Sequence, residues 1–282
     1  MNNLQKPRLA GVMGWPVDHS LSPALHRFWL QENQLSGSYV PLAVRPENLK
    51  KAVLTLPMLG FAGVNLTVPH KEAGVAIVSQ VDGVARRVGA VNTLMVLDDG
   101  TIEGRNTDGY GFIESLAARA DLNILKNRPV AVLGAGGAAR AIVVALQDFG
   151  VSQIYVTNRT LEHAEALSED IGGEIIVVNW KERDDVLAEK KLLVNTTTLG
   201  MFGQPALEIN LGALPTTAIV TDIVYKPLMT PLLEKASLRG NLIVDGLGML
   251  IHQGRPGFGA WFGVEPTASN ALRAHLLAAG AR

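Results

Sequence analysis

Apolar residues recur along the chain in short runs separated by helical patterns, an alternation that predicts an α/β protein. In the first third, residues 9–13 read as a strand. Residues 23–34 read as a helix, with Ser22 as its N-cap and Pro23 in its first turn. A second strand is expected at 39–44, a second helix at 46–56, and a third strand at 63–68, stopped by Pro69. Alternation in that third strand places Asn65 and Thr67 on one face and Val64, Leu66 and Val68 on the other. From Asp108 the pattern becomes regular. Strands rich in Val and Ile are expected at 130–133, 153–157, 174–178, 192–195, 218–223 and 242–244, with helices at 137–148, 161–171, 181–189 and 231–239. Such strands suit a sheet covered on both faces, and parallel strands joined by helices give a doubly wound sheet. Beyond Leu247 strand signals stop, and helical patterns at 249–252 and 268–279 close the chain.

Two domains follow from this change of pattern. Residues 1–107 form an α/β domain completed by the C-terminal helices of 247–282, and residues 108–246 form the doubly wound domain, with hinges near Thr107–Gly109 and Gly246–Gly248. The length of 282 residues agrees with two domains of ~150 residues each. Lys and Arg number 25 against 26 Asp and Glu, which argues against a nucleic-acid or anionic-membrane surface. The absence of cysteine excludes disulfides, thiolate nucleophiles and Cys-ligated zinc. The histidines form no HExxH pair, and no metal is expected. The most apolar window, residues 130–146, carries Gly134, Gly136, Gly137 and Arg140 and is short for a bilayer span of ~20 residues. The N-terminal segment makes a poor signal peptide, so a cytoplasmic protein is expected.

The sharpest motif is Gly134-Ala-Gly136-Gly137-Ala138-Ala139-Arg140, which follows a strand and opens a helix. Gly134 permits the tight turn, Gly136 lets the backbone approach a pyrophosphate, and Ala139 keeps helix and strand close. The helix N-terminus then offers unpaired N–H groups and partial positive charge to phosphates, so this is a Rossmann-type dinucleotide site. An NAD site places Asp or Glu at the tip of the next strand, about 20 residues on. Here that tip is Asn158-Arg159-Thr160. A guanidinium with Asn and Thr donors suits the adenosine 2′-phosphate of NADP.

Four further segments place polar residues outside any apolar pattern: His19-Ser20-Leu21-Ser22-Pro23, Asn65-Leu66-Thr67-Val68-Pro69-His70-Lys71, Ala90-Val91-Asn92-Thr93-Leu94, and Asn106-Thr107-Asp108-Gly109. They supply an amine, a carboxylate, amides and hydroxyls. Groups that both donate and accept suit a small polyhydroxylated substrate. With the glycine turn, NRT at 158–160, VNTTTLGM at 194–201 and DIVYKPLMTPLL at 222–233, they make a chain that resembles the shikimate dehydrogenase family in order along nearly its whole length.

The resemblance implies a substrate domain flanking an NADP domain. It implies that Ser20 and Ser22 bind the substrate carboxylate, with Thr67 and Tyr225 nearby, and that Asn65, Asn92 and Gln253 hold substrate hydroxyls. Lys71 and Asp108 would be the catalytic pair. Gly134, Gly136, Gly137 and Ala138 would form the phosphate turn, Asn158, Arg159 and Thr160 would hold the 2′-phosphate, and Ile223, Gly246 and Met249 would lie near the nicotinamide. The chain departs from the family pattern at Trp15, where Asn is common, and at His163, where a second basic residue often assists the 2′-phosphate. The implied activity is NADP-dependent interconversion of 3-dehydroshikimate and shikimate, by a monomer or homodimer with no nucleic-acid or membrane partner. The alternatives are a quinate/shikimate dehydrogenase using NAD or NADP, and a non-catalytic NADP-binding regulatory protein on the same fold.

Overall fold

The computed structural model describes residues 8–280. Residues 1–7, the start of the segment weighed above as a secretion signal, lie outside that range. The chain divides into two compact units, Met1–Thr107 with Gln253–Arg282, and Asp108–His252.

In the first unit the elements run β1 (Arg8–Gly14), α1 (Ser22–Glu32), β2 (Gly37–Ala43), α2 (Leu49–Thr55), β3 (Phe61–Leu66), α3 (Lys71–Val75), β4 (Gln80–Val81), α4 (Gly83–Val88), β5 (Thr93–Val96) and β6 (Ile102–Arg105). They build one sheet in the order β2-β1-β3-β5-β6-β4. β1 runs parallel to β2 and β3, whereas β5 is antiparallel to both β3 and β6. The sheet is therefore mixed. The hairpin of β5 and β6 was not read in the sequence, because each strand is only 4 residues long.

The second unit contains α5 (Asp108–Ala117), β7 (Pro129–Leu133), α6 (Gly137–Phe149), β8 (Gln153–Asn158), α7 (Leu161–Ile171), β9 (Ile175–Asn179), β10 (Leu192–Asn195), β11 (Ile219–Asp222), α8 (Pro231–Leu238) and β12 (Leu242–Val244). All pairs are parallel, in the order β12-β11-β10-β7-β8-β9, the doubly wound arrangement expected. Successive residues of β7 feed opposite faces. Val130 and Val132 enter one apolar core, and Ala131 and Leu133 the other, so both faces are covered as the Val-rich strands predicted. Helix α9 (Gly246–Phe262) begins in this unit and ends in the first, and α10 (Asn270–Gly280) packs on α1 within the first. The second boundary thus falls at Gln253, inside α9, where the sequence pattern placed it at Leu247.

Several expectations need correction. Residues 46–56 form a 3₁₀ turn followed by the short α2, not one helix. Residues 181–189 hold only two 3₁₀ turns, Trp180–Glu182 and Asp185–Leu187. The pattern at 249–252 is part of a longer helix, α9, with Pro256 inside it, and the pattern at 268–279 corresponds to α10. Ser22 does not cap α1. Leu21 occupies the N-cap with no side-chain bond, and the Ser22 N–H donates instead to Ser20 Oγ at 3.3 Å. β3 stops at Leu66, so the two-face alternation does not reach Val68. Val64, Asn65 and Leu66 are all buried, and Val68 is exposed.

Candidate active site

Strand registers bring the polar segments of the first unit to one sheet edge. Leu66 pairs with Met13, Asn65 with Thr93, and Thr93 with Arg105, so the C-terminal ends of β1, β3 and β6 meet the start of antiparallel β5. Asn92 and Thr107 lie just beyond that row, one entering β5 and the other leaving β6. Their side chains are buried and locked together. The Thr107 N–H donates to Asn92 Oδ1 at 2.9 Å, and Asn92 Nδ2 donates to Thr107 Oγ1 at 3.0 Å and to Gln253 Oε1 at 3.4 Å. Thr107 Oγ1 donates in turn to the Gln253 carbonyl at 2.9 Å. Thr93 Oγ1 donates to Asn92 Oδ1 at 3.0 Å and accepts from Asn65 Nδ2 at 3.1 Å. The second Asn65 amide hydrogen goes to the Asn92 carbonyl at 3.0 Å.

Asn65 Oδ1 accepts from Tyr39 Oη at 2.7 Å. Burial pushes the Tyr39 phenol well above its ordinary pKa, and the Ser22 hydroxyl bonded to it pulls the other way. Behind Tyr39 the His26 ring stacks at 3.9 Å, nearly parallel to it, with Trp29, Phe258 and Trp261 around it. His26 is fully buried with neither ring nitrogen bonded, and desolvation drops its pKa to about 3. Of the predicted substrate residues, Asn65, Asn92 and Gln253 thus share one network, and Ser22 joins it through Tyr39. Ser20 is tied to the Ser22 main chain. Thr67 is half-buried just past β3, and half-buried Lys71 opens α3. Trp15 is 41% exposed beneath the Arg45 guanidinium, 5.0 Å away.

The second unit holds the remaining predicted residues. Asp108 is buried and opens α5, directly after Thr107 in the chain. Gly134 has φ +110°, and a Cβ there would lie 2.3 Å from Thr196 Oγ1. Gly136 is the N-cap of α6 with no side-chain capping bond, and nothing lies within 4 Å of where its Cβ would be. An uncapped N-terminus of a long helix beside open main chain fits a pyrophosphate, with Gly137 and Ala138 in the first turn. Asn158 Nδ2 donates to the Thr160 carbonyl at 2.8 Å, shaping the tip of β8, where Arg159 and Thr160 are exposed. His163 is exposed in α7.

Ile223 is half-buried against the core that contains Met249. A Cβ on Gly246 would come within 2.3 Å of the Ile223 carbonyl, so that close approach requires glycine. The loop after β11, which carries half-buried Tyr225, is shaped by buried Asp222. Its carboxylate accepts from Asn195 Nδ2 at 3.1 Å, from the Val224 N–H at 3.0 Å and from Thr230 Oγ1 at 2.8 Å. Burial raises the Asp222 pKa against these bonds.

Tyr39, Thr93, Thr107 and Asp222 are the residues that sequence reasoning missed. Thr93, Thr107 and Asp222 lay inside quoted motifs. Tyr39 carried no signal beyond its place in an expected strand.

Fold and site together define a class: a two-unit α/β dehydrogenase with a nicotinamide-dinucleotide domain. The chain is 58% identical over 272 residues to the shikimate dehydrogenase (NADP+) of Paramagnetospirillum magneticum, covering 96% of this chain and 99% of that protein. The chain belongs to the shikimate dehydrogenase family. The model of the shikimate dehydrogenase substrate binding domain matches residues 12–94, and that of shikimate / quinate 5-dehydrogenase matches residues 116–201. Among solved structures, shikimate 5-dehydrogenase of Thermus thermophilus with NADP(H) and shikimate is 37% identical, with a TM-score of 0.84 and coverage of 98% of this chain and 99% of that one. Quinate dehydrogenase of Corynebacterium glutamicum with NAD is 30% identical, with a TM-score of 0.89 and coverage of 96% and 99%.

Proposed function

We propose that this chain catalyses the reversible, NADP-dependent reduction of 3-dehydroshikimate to shikimate, the activity named for its close relatives. The observation that supports the reading is the hydrogen-bond network that joins Asn65, Asn92 and Gln253 at one sheet edge, in a chain whose glycine turn is followed by Arg159 rather than a carboxylate. In this reading the first unit is the substrate domain and the second the NADP domain. Ser20 and Ser22 take the substrate carboxylate, with Thr67 and Tyr225 beside it, and the three amides take hydroxyls.

NADPH bound at the glycine turn supplies the hydride. Lys71 and Asp108 form the pair that handles the proton. In the reducing direction the pair protonates the oxygen of the former ketone, and in the oxidising direction it takes the proton from the shikimate hydroxyl. Arg159, flanked by Asn158 and Thr160, pairs with the 2′-phosphate, and Ile223, Gly246 and Met249 border the nicotinamide end.

A crossed assay tests this reading: shikimate or quinate, each with NADP+ or NAD+, followed by reduced-nicotinamide absorbance. Turnover is expected chiefly with shikimate and NADP+. Comparable rates with quinate or NAD+ would move the chain to the broader quinate/shikimate activity. Cofactor binding without turnover would favour a regulatory protein.

A further inference from the structure

The hydrogen-bond network of the first unit has a fixed direction, set by main-chain groups that play only one part. The Asn92 carbonyl can only accept, so the group of Asn65 facing it at 3.0 Å is Nδ2. Asn65 Oδ1 therefore faces Tyr39, and at 2.7 Å the Tyr39 hydroxyl must donate. That commits the single phenolic proton. Both Asn65 amide hydrogens are spent on the protein, on the Asn92 carbonyl and on Thr93 Oγ1. Asn65 can meet a ligand hydroxyl only with the second lone pair of Oδ1, as an acceptor.

We propose that Tyr39, which lies two strands from Asn65 across β1, is a positioning residue of the substrate site. Its hydroxyl holds Asn65 Oδ1 in the orientation presented to a substrate hydroxyl. The inference rests on the function proposed above. A purely structural role for Tyr39 would reside in its ring, which stacks on His26 at 3.9 Å among Trp29, Phe258 and Trp261. Removing the hydroxyl alone separates the two roles, because the ring and its stack remain. It leaves Asn65 Oδ1 buried without its donor, while the Asn92 carbonyl still holds the amide in place.

The experiment is steady-state kinetics of wild type, Tyr39→Phe, Asn65→Ala and the double variant with shikimate and NADP+, alongside thermal melts. For Tyr39→Phe we expect the KM for shikimate to rise about tenfold, the loss of a well-placed hydrogen bond. The kcat and the KM for NADP+ stay near wild type, and the melting temperature falls by only the few degrees that one unsatisfied buried acceptor costs. The double variant should raise the KM by less than the product of the single effects, because both substitutions break one connection. An unchanged KM in Tyr39→Phe, or KM effects that multiply in the double variant, overturns the proposal. So does a fall in kcat and melting temperature without a selective change in KM. Failure of the wild type to turn over shikimate overturns the proposed function instead, which keeps the two failures apart.

Discussion

At the edge of the first sheet, Asn65, Thr93, Asn92 and Thr107 hold one another through side-chain hydrogen bonds, and every direction in that network depends on the residue present. At the tip of β7 in the second unit, the phosphate turn offers main chain: a glycine at φ +110°, another with open space around it, and an uncapped helix start. The first arrangement suits the hydroxyl pattern of a ligand, since the bonds inside the network fix which role an amide such as Asn65 can still play. The second suits a phosphate, which many ligands carry. The two solved relatives make the same point. One holds NADP(H) and shikimate, the other is a quinate dehydrogenase with NAD, and both share this fold at TM-scores of 0.84 and 0.89. Selectivity must then sit in side chains grafted on the common frame.

The largest test of this division is Lys71→Ala. If Lys71 belongs to the proton-handling pair, kcat should fall by about 10²–10⁴, the usual contribution of a general acid–base group. The KM for shikimate should change less than kcat, as expected of a group that acts on the proton rather than in binding. Initial rates against shikimate concentration decide it. A kcat that survives would make Lys71 a binding group like its neighbours.

Arg159→Ala probes the proposed dependence of the cofactor side on a charged side chain. A charge-assisted contact to a 2′-phosphate is worth about ten- to a hundredfold in affinity. The KM for NADP+ should rise by that factor while the KM for NAD+ stays nearly constant. Equal losses for both cofactors would assign Arg159 to the fold of the β8 tip, and exposed His163 would become the next residue to vary.

His26 tests the apolar backing of the first network. Its folded pKa of about 3 lies below the ordinary 6.5, so the unfolded chain binds the proton first. The stability that this neutral ring contributes is complete above 6.5 and is lost as pH falls toward 3. Between pH 7.5 and 5 the linkage amounts to about 2 kcal/mol. In His26→Leu, which also removes two unbonded ring nitrogens, this part of the acid slope should vanish. Urea titrations of both proteins across that range give the slopes. Equal slopes would mean that the ring is solvated or bonded in the folded state.

The same contrast decides what could be read from the sequence. The second unit was legible almost to the residue at 161–171, 192–195 and 242–244, because parallel strands covered on both faces impose continuous apolar runs with helices between them. The glycine turn was legible because main-chain geometry restricts residue type. The first unit was less so. The β5–β6 hairpin is short, and its antiparallel pairing is what delivers Asn92 and Thr107 to the edge. Motifs pointed to Asn92 and Asp108, but Thr93, Thr107 and Tyr39 act through partners far along the chain, which periodicity does not encode. Ser22 misled in the opposite way. A serine before a proline at a helix start carries the mark of a cap, yet here its hydroxyl serves Tyr39 and Ser20 receives its N–H.

The smallest effect is also the sharpest test of a site made of main chain. Gly134 and Gly136 are two residues apart and should answer alanine in opposite ways. At Gly134, φ +110° and a Cβ 2.3 Å from Thr196 Oγ1 mean strain, about 1–3 kcal/mol of stability, whether or not cofactor is present. At Gly136, φ −83° is ordinary for any residue and the space is open, so alanine should leave stability unchanged or raise it by about 0.4–1 kcal/mol through the unfolded chain. The methyl group would stand where the main chain meets a phosphate. Gly136→Ala should therefore weaken NADP+ by about tenfold, the loss of one hydrogen bond to a charged group, in a protein that melts no lower than wild type. Melting curves with and without NADP+ give both quantities. If Gly136→Ala binds NADP+ normally, the pyrophosphate does not approach this turn, and the main-chain half of the comparison fails while the side-chain half stands.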